Sequence, residues 1–575
     1  MLVTTTIRNV FWNAILCVVG LLVSCVTVQT PEGGPPDERP PMLIRTVPEN
    51  ESLNFKRKKI TLTFDKDISV ENVYAKLKVM PKLDKPKNKQ PYSYKVCGNT
   101  LKVTLNVPLK EDATYAMHFN DVVKDIHEGT KATNAVLTFS TGSFIDPITA
   151  KGCIKDLLTN KPVGDVHVFL YNAERDPKEW NDKGEGEPDY YTTSDKEGNF
   201  TIERIRLGRY YIRAMTGKKH ACEIDYEKEK YGFLRDPIDL TDSREDIVVP
   251  LVAADVRDFK LLRVVPQKGL CEIVLNKPVK TYAVFPLQVQ VVGTNTQLYS
   301  FVDPTAPKTV CVYNTLGMLG GEDFELKLMA EDTLHVLLEK QVTIRFKEGK
   351  QDVKRLTHSL KPRPIPSIVP RFKETISFNK PMAKVHASLL YFEGKHQEKI
   401  GLTKEALHWN ATKTQLTIKK NFSEEELKKF TTTQKEGASA HTTIQRSIAL
   451  KMDAGACIAF DQEKSKPIDS TYVLRNEAET GTVSGTIETT HGCFRIDLLN
   501  EKNEVVDSIR NQKNYQFKMV PPGTYAIRIL VLQEGKKEWL PGNIRKNIEP
   551  DPVVFYEKPI SVVEAWEVTG IDFKF

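Results

Sequence analysis

Cys25 is the residue whose chemistry its neighbours define best. It closes the run Val10–Cys25, VFWNAILCVVGLLVSC, which Arg8 precedes and in which small Ser24 stands directly before the thiol. A charged start, an apolar core and a small residue at a processing point are ordered as in an export signal. The run is too short for a comfortable span of about 20 residues. Cys17 would leave with the signal. The seven cysteines beyond Cys25, namely Cys97, Cys153, Cys222, Cys271, Cys311, Cys457 and Cys493, are odd in number and at least 36 residues apart. No CxxC pair exists, so zinc, redox and disulfide-framework readings lack a pattern. Free cysteines in strand-like runs behave as small buried apolar residues, and burial is the expectation here.

Other chemistry-bearing residues form no constellation. The 11 histidines are scattered, and no HExxH pair or phosphate-binding Gly-rich loop occurs. Ser484 in Gly481-Thr482-Val483-Ser484-Gly485 has the wrong spacing for a nucleophile elbow and sits where a strand begins. The clusters Glu185-Gly186-Glu187-Pro188-Asp189 and Asp195-Lys196-Glu197 carry carboxylates that could hold calcium. The plainer reading is a solvated loop and a hairpin turn, because Asp195 and Gly198 bracket a tight reversal. Trp539, Phe555, Tyr556 and Trp566 could make a glycan or partner surface, or the core and edge of the last domain. The expectation is therefore no catalytic residue, no metal and no cofactor.

The chain has 575 residues and a formal net charge of +7, which falls to +6 without Arg8. Cations and acids are interleaved and no basic stripe carries aromatics, so nucleic acid has little support as a partner. A length of this kind predicts several domains.

Period-two alternation dominates. Ile60, Leu62 and Phe64 alternate with Thr61 and Thr63, and Leu101, Val103 and Leu105 alternate with Lys102 and Thr104. Such runs put one face on a core and one in water. Two repeats organise them. Phe64-Asp65-Lys66 returns as Leu275-Asn276-Lys277-Pro278 and Phe378-Asn379-Lys380-Pro381. Phe200–Arg213 aligns without gaps on Tyr515–Arg528, matching Gly208, Tyr210, Ile212 and Arg213 to Gly523, Tyr525, Ile527 and Arg528. The reading is an all-β chain of tandem β-sandwiches. It runs as signal 1–24, Pro/Gly-rich tether 25–41, and domains 42–143, 146–253, 256–355, 361–476 and 480–575. One helix is expected at Ser423–Phe430, where Ser caps and Glu426 follows three residues later, with a mobile polar loop over 431–443.

Leu22-Val23-Ser24-Cys25 resembles a bacterial lipobox, which implies acylation of Cys25 as the first mature residue. Thr46-Val47-Pro48-Glu49-Asn50, Thr63-Phe64-Asp65-Lys66 and Phe139-Ser140-Thr141-Gly142 resemble the Ig-like domain of bacterial S-layer type. The set from Lys151-Gly152-Cys153-Ile154 to the Gly208–Tyr210 strand resembles transthyretin-like domains, also called carboxypeptidase regulatory-like or collagen-adhesin B-type. Some members of that group form a Lys–Asn isopeptide bond; the last strands here, 246–252 and 568–573, contain no Asn. Lys218-Lys219-His220 and Lys536-Lys537 stand where related lipoproteins carry acidic loops. The whole chain resembles outer-membrane lipoproteins with Ig-like domains. The resemblance implies a non-enzymatic scaffold or binding subunit, anchored in the outer membrane by lipid and joined to protein partners of the cell envelope. The uncharged stretch Val26–Pro31 favours the periplasmic face. The alternatives are an adhesin or glycan-binding protein, and an accessory chain of an envelope hydrolase.

Overall fold

The computed structural model describes residues 37–84, 89–174, 188–217, 224–287, 299–303, 305–314, 320–349, 355–360, 367–368, 371–394, 398–410, 412–423, 425–426, 431–435, 442–475 and 479–575. Contacts divide the chain into two compact units. One reaches to Pro147 and takes in Arg204–Arg206; the other is Ile148–Glu203 with Leu207–Phe575.

The first unit shows how the alternating pattern becomes a fold. Leu43–Val47, Lys59–Phe64, Thr100–Leu105 and Tyr92–Cys97 lie in that order in one antiparallel sheet. Lys78–Met80, Thr114–His118 and Val136–Ser140 form another. Ile60, Leu62, Phe64, Leu101 and Val103 are buried, as are Tyr115, Met117 and Phe139, and they share one core. Each fully buried side chain of this size stabilises by roughly 1.5–3 kcal/mol. Residues 37–41, the end of the tether in the sequence reading, are tied to this unit: Lys66 Nζ donates to Arg39 O at 2.8 Å and lies 3.1 Å from Asp37 Oδ2.

The second unit continues the all-β pattern. Parallel pairing of an early strand with the closing strand recurs here: Ser367–Ile368 runs parallel to part of Ile468–Arg475, and two other sandwiches pair their opening strands in the same way. Ile148–Asp156 runs parallel to Arg244–Leu251, and Gly481–Glu488 runs parallel to Glu567–Val568 and Phe573–Lys574. The reason glycine sits in both opening strands is steric. A Cβ at Gly152 would stand 1.9 Å from Ile247 O, and one at Gly485 would stand 1.9 Å from Ile571 O. The second aligned pair, Gly208 and Gly523, has φ of 154° and 153°, and Tyr210 and Tyr525 fold their rings over them. The Tyr525 hydroxyl donates to Pro521 O at 2.8 Å.

Between these lie two further sandwiches. One pairs Leu261–Pro266, Leu270–Leu275, Thr309–Tyr313 and Ser300–Val302 in one sheet, and Val279–Pro286, Asp323–Asp332 and Leu337–Arg345 in the other. The next is built on Arg371–Phe378 with Gln415–Asn421, and on Thr442–Met452 with Ile468–Arg475 and Leu390–Glu393.

Of two local expectations, one changes. The capping box forms, with Ser423 N–H donating to Glu426 Oε2 at 2.9 Å and Glu426 N–H donating to Ser423 Oγ at 3.2 Å. The remainder of that helix, 427–430, lies outside the described residues. The polar stretch 431–443 is not simply a loop: Thr431–Lys435 pairs antiparallel with the start of Thr442–Met452. Thr-rich segments suit strands, and polarity alone does not exclude a hairpin arm outside the core.

Candidate functional site

The lysine of each [Asp/Asn]-Lys repeat ends in the same arrangement. Lys66 Nζ meets Asp125 Oδ2 at 3.0 Å. Lys277 Nζ meets Asp332 Oδ2, and Lys380 Nζ meets Asp461 Oδ2 at 2.8 Å and also Glu463 Oε2. In each case the other carboxylate oxygen caps the turn that follows. Asp125 Oδ1 accepts from His127 N–H at 2.8 Å, and Asp332 Oδ1 accepts from Leu334 and Val336 N–H at 2.8 Å. Asp461 Oδ1 accepts from Glu463 N–H at 3.4 Å.

The residue before each lysine also works on the backbone. Asp65 Oδ1 accepts from Met42 N–H, Asn276 Oδ1 from Lys260 N–H, and Asn379 Oδ1 from Thr357 N–H, at 2.7 to 2.8 Å. A neighbouring pair of residues thus ties the first strand to the second and the second to a distant turn. Charged groups survive burial when paired and hydrogen-bonded, and Lys277 and Lys380 are 1% and 0% exposed.

The acids respond to this placement. Backbone donation from His127 comes first in holding the Asp125 carboxyl below its ordinary value, and Lys66 adds to it. Burial pushes Glu463 up, but Lys380 and the Leu356 N–H together outweigh it and the carboxyl is held down.

A second buried network joins two sandwiches of the second unit. Asp497 is fully buried and directly opposite Arg528 across the strand pair. Its Oδ2 accepts from Arg528 Nε and Nη2 at 3.0 and 2.9 Å. Arg495 and Ser508 occupy Oδ1 at 2.7 and 2.8 Å. The remaining guanidinium nitrogen of Arg528 donates to Leu158 O at 2.7 Å. Nearby, Asn547 Nδ2 donates to Arg235 O at 3.1 Å and Arg235 N–H donates to Glu549 Oε1 at 2.8 Å. Tyr226, Tyr231, Phe233, Val256 and Ile544 pack between them, with Trp539 and Leu334 at the edge. On another side, Tyr313 and Phe460 meet with ring centroids 4.2 Å apart. Within this unit the sandwiches share apolar junctions pinned by hydrogen bonds.

The residues singled out by sequence are distributed as follows. Cys25 and the cluster Glu185–Glu187 lie outside the described residues, as do Cys222 and Lys218–His220. Asp189 is buried and its Oδ2 accepts from Asn172 N–H at 3.0 Å. Asp195 accepts from Asn199 N–H at 2.7 Å, so its carboxylate caps its own hairpin. Among the described residues no group of three or more His, Cys, Asp or Glu is placed to hold a metal. Cys271, Cys311 and Cys457 are buried free thiols, and burial raises Cys271 to about 11 and Cys457 to about 12. Cys97 departs from the expectation of burial: it is exposed, because it falls on the solvent side of Tyr92–Cys97 with Ser93 and Lys95.

The C-terminal aromatics do not gather into one platform. Trp539 Nε1 donates to Asp551 O at 2.8 Å at the junction above, Tyr556 lines the last core beside Phe573, and Trp566 is 67% exposed on its own. A groove of ≈ 660 Å³ in the first unit is lined by Phe55, Lys56, Arg57, Lys58, Val107 and Leu109, among others.

Sequence reasoning missed the acids Asp125, Asp332 and Asp461. They follow their lysines at different distances, 55 residues for Asp332 and 81 for Asp461. The available signal was an Asp at a strand end opening a turn.

Residues 37–141 match the model of a bacterial Ig-like domain. No curated protein matches the chain. Among solved structures, domains 1–6 of surface layer protein SbsC align over 91% of this chain and 67% of that one, at 11% identity and a TM-score of 0.16. BcpA, the major pilin subunit of Bacillus cereus, aligns over 74% of this chain and 98% of its own, at 9% identity and a TM-score of 0.12. A tetra-tandem repeat in the extending region of a large adhesion protein aligns over 72% of this chain and 100% of its own, at 7% identity and a TM-score of 0.15.

Proposed function

We propose that the chain is a lipid-anchored outer-membrane protein, exposed on the periplasmic face, that serves as a non-enzymatic scaffold or binding subunit of a cell-envelope protein assembly. Its second and fifth sandwiches are read as transthyretin-like domains, supported by the parallel pairing of first and last strands around Gly152 and Gly485. The observation that carries the reading is the use to which the charged repeat is put. Lys66, Lys277 and Lys380, with their acids, hold strands and turns together. These paired groups brace each sandwich from within, and its outer faces are left for partners. Wide faces and sheet edges suit protein association.

The anchor rests on Leu22-Val23-Ser24-Cys25. Burying each CH₂ of an acyl chain gains about 0.8 kcal/mol, so two or three chains hold a protein where one does not. Replacing Cys25 by Ala and fractionating cells with a carbonate and high-salt wash tests it. The wild-type chain should stay in the membrane pellet and the Cys25→Ala chain should be released. Retention of Cys25→Ala after that wash sinks the lipid reading. Affinity capture from detergent-solubilised membranes should bring down a discrete envelope complex, and its absence sinks the scaffold reading.

A further inference from the structure

The four-stranded sheet of the first unit has one face in the core and one outside. Across the outer face, register places Arg45 beside Thr63, Thr63 beside Thr100 and Thr100 beside Cys97. The next row is Val47, Thr61, Lys102 and Lys95; the third is Lys59, Thr104 and Ser93. Every polar position on these strands is a cation, a hydroxyl or a thiol, and none is a carboxylate. Arg45, Lys59, Lys95 and Lys102 are exposed, and none forms an ion pair among the described residues. The exposed run Lys56-Arg57-Lys58 extends the positive charge past Lys59, while Asp65 and Asp67 lie at the opposite end of that strand.

This concentration holds for the whole domain. Residues 42–143 contain 17 Lys and Arg against 11 Asp and Glu, a net +6 out of the chain's +7. The remaining domains are close to neutral together. Mutual repulsion among unpaired cations on one face is unfavourable unless an opposite charge covers it.

We propose that this face docks on the anionic headgroups of a membrane. Three observations select that occupant over other polyanions. Its outward positions hold no aromatic ring to stack on a sugar. Its side chains are long ammonium and guanidinium arms among short hydroxyls, which suit phosphate oxygens at a planar surface. The edge strand Leu43–Val47, which contributes Arg45, is the strand into which the N-terminal segment leads. Cys25 and Asp37 are 12 residues apart, a reach of at most about 40 Å when extended. The face is thus within range of the bilayer that would hold the lipid. The inference rests on the membrane-anchored reading for its location, but its chemistry is tested without the anchor.

The test uses the full chain carrying Cys25→Ala, sedimented with vesicles of phosphatidylcholine alone or mixed with an equal part of phosphatidylglycerol. Binding is expected only to the anionic vesicles and should weaken as salt shortens the Debye length. The variant Lys59→Glu/Lys95→Glu/Lys102→Glu should bind about a hundredfold more weakly. All three side chains are solvent-facing, so an unchanged thermal transition serves as the folding control. Maleimide labelling of Cys97, on the same face, should be slowed by anionic vesicles and not by neutral ones. Equal binding to both vesicle types, unaltered binding by the triple variant, or capture by a soluble anionic polysaccharide in place of vesicles would overturn the proposal. None of these outcomes bears on whether Cys25 is acylated, which the salt-washed fractionation reads separately.

Discussion

Lys277 and Asp332 are joined as a buried ion pair, with side chains 2% and 1% exposed, at the point where the second strand of one sandwich meets the turn after Asp323–Asp332. The same relationship, lysine after the second strand and aspartate at a strand end, recurs in Lys66–Asp125. In the fourth sandwich the Asp461 carboxylate takes that place beside Lys380. The fold stores its repeated chemistry in this contact.

Removing one partner should therefore be costly. Lys277→Met leaves Asp332 buried without its cation and should destabilise that sandwich by about 3–5 kcal/mol. Adding Asp332→Asn should cost less than the sum of the two single changes, because the pair is coupled. Urea denaturation of the four variants checks both points; strict additivity would mean the two groups stabilise independently.

Gly152→Ala and Gly485→Ala should each weaken the parallel pairing of first and last strands. The new methyl would collide with Ile247 O or Ile571 O, and overpacking of this kind costs about 1–3 kcal/mol or more. Alanine at Gly535, where nothing lies within 4 Å, should cost less than either, the loss there coming only from its φ of 74°. Thermal unfolding of the three variants ranks them.

Arg528→Lys should not rescue the Asp497 site. An ammonium holds its three N–H donors on a single nitrogen and cannot spread them over the two-point contact with Asp497 and the separate contact with Leu158 O that three guanidinium nitrogens span. We expect Arg528→Ala to cost about 3–5 kcal/mol, with Arg528→Lys recovering less than half. Faster proteolysis between the second and fifth sandwiches in both variants would accompany that loss.

Thiol reactivity should separate by face. In the folded chain Cys97 should react readily with a maleimide, whereas Cys271, Cys311 and Cys457 should not until the chain is unfolded. Peptide mapping after native labelling decides this; modification of Cys457 at the rate of Cys97 would contradict its burial.

Acid should act through Glu227, which Lys308 and then Arg257 pull down to about 2 from 4.5. A depressed carboxylate adds stability that is present above its unfolded value and lost as pH falls toward the folded one. The gap between wild type and Glu227→Gln should be constant near neutrality and close between pH 4.5 and about 2. The Glu227 side chain is 43% exposed, so the gap should stay within about 1 kcal/mol. Denaturation midpoints across that range measure it.

The sequence by itself determined the all-β architecture and the inward faces. Ile60, Leu62 and Phe64 had to share a face because strand side chains alternate, and all are buried. It also determined that Gly208 and Gly523 play one role, since both stand two residues before a tyrosine that covers them. Local rules carry this information because the period of two and the conformational freedom of glycine act within a few residues. The tertiary structure decided what long separations hide. That Lys277 would find Asp332, and that Arg528 would reach Leu158, depends on which strands become neighbours. Cys97 and Cys271 both lie in strands, yet sheet register alone put one in water and the other in a core. The cationic face follows the same logic: Arg45, Lys59, Lys95 and Lys102 are scattered along the chain, and strand order collects them on one surface where no acid intervenes.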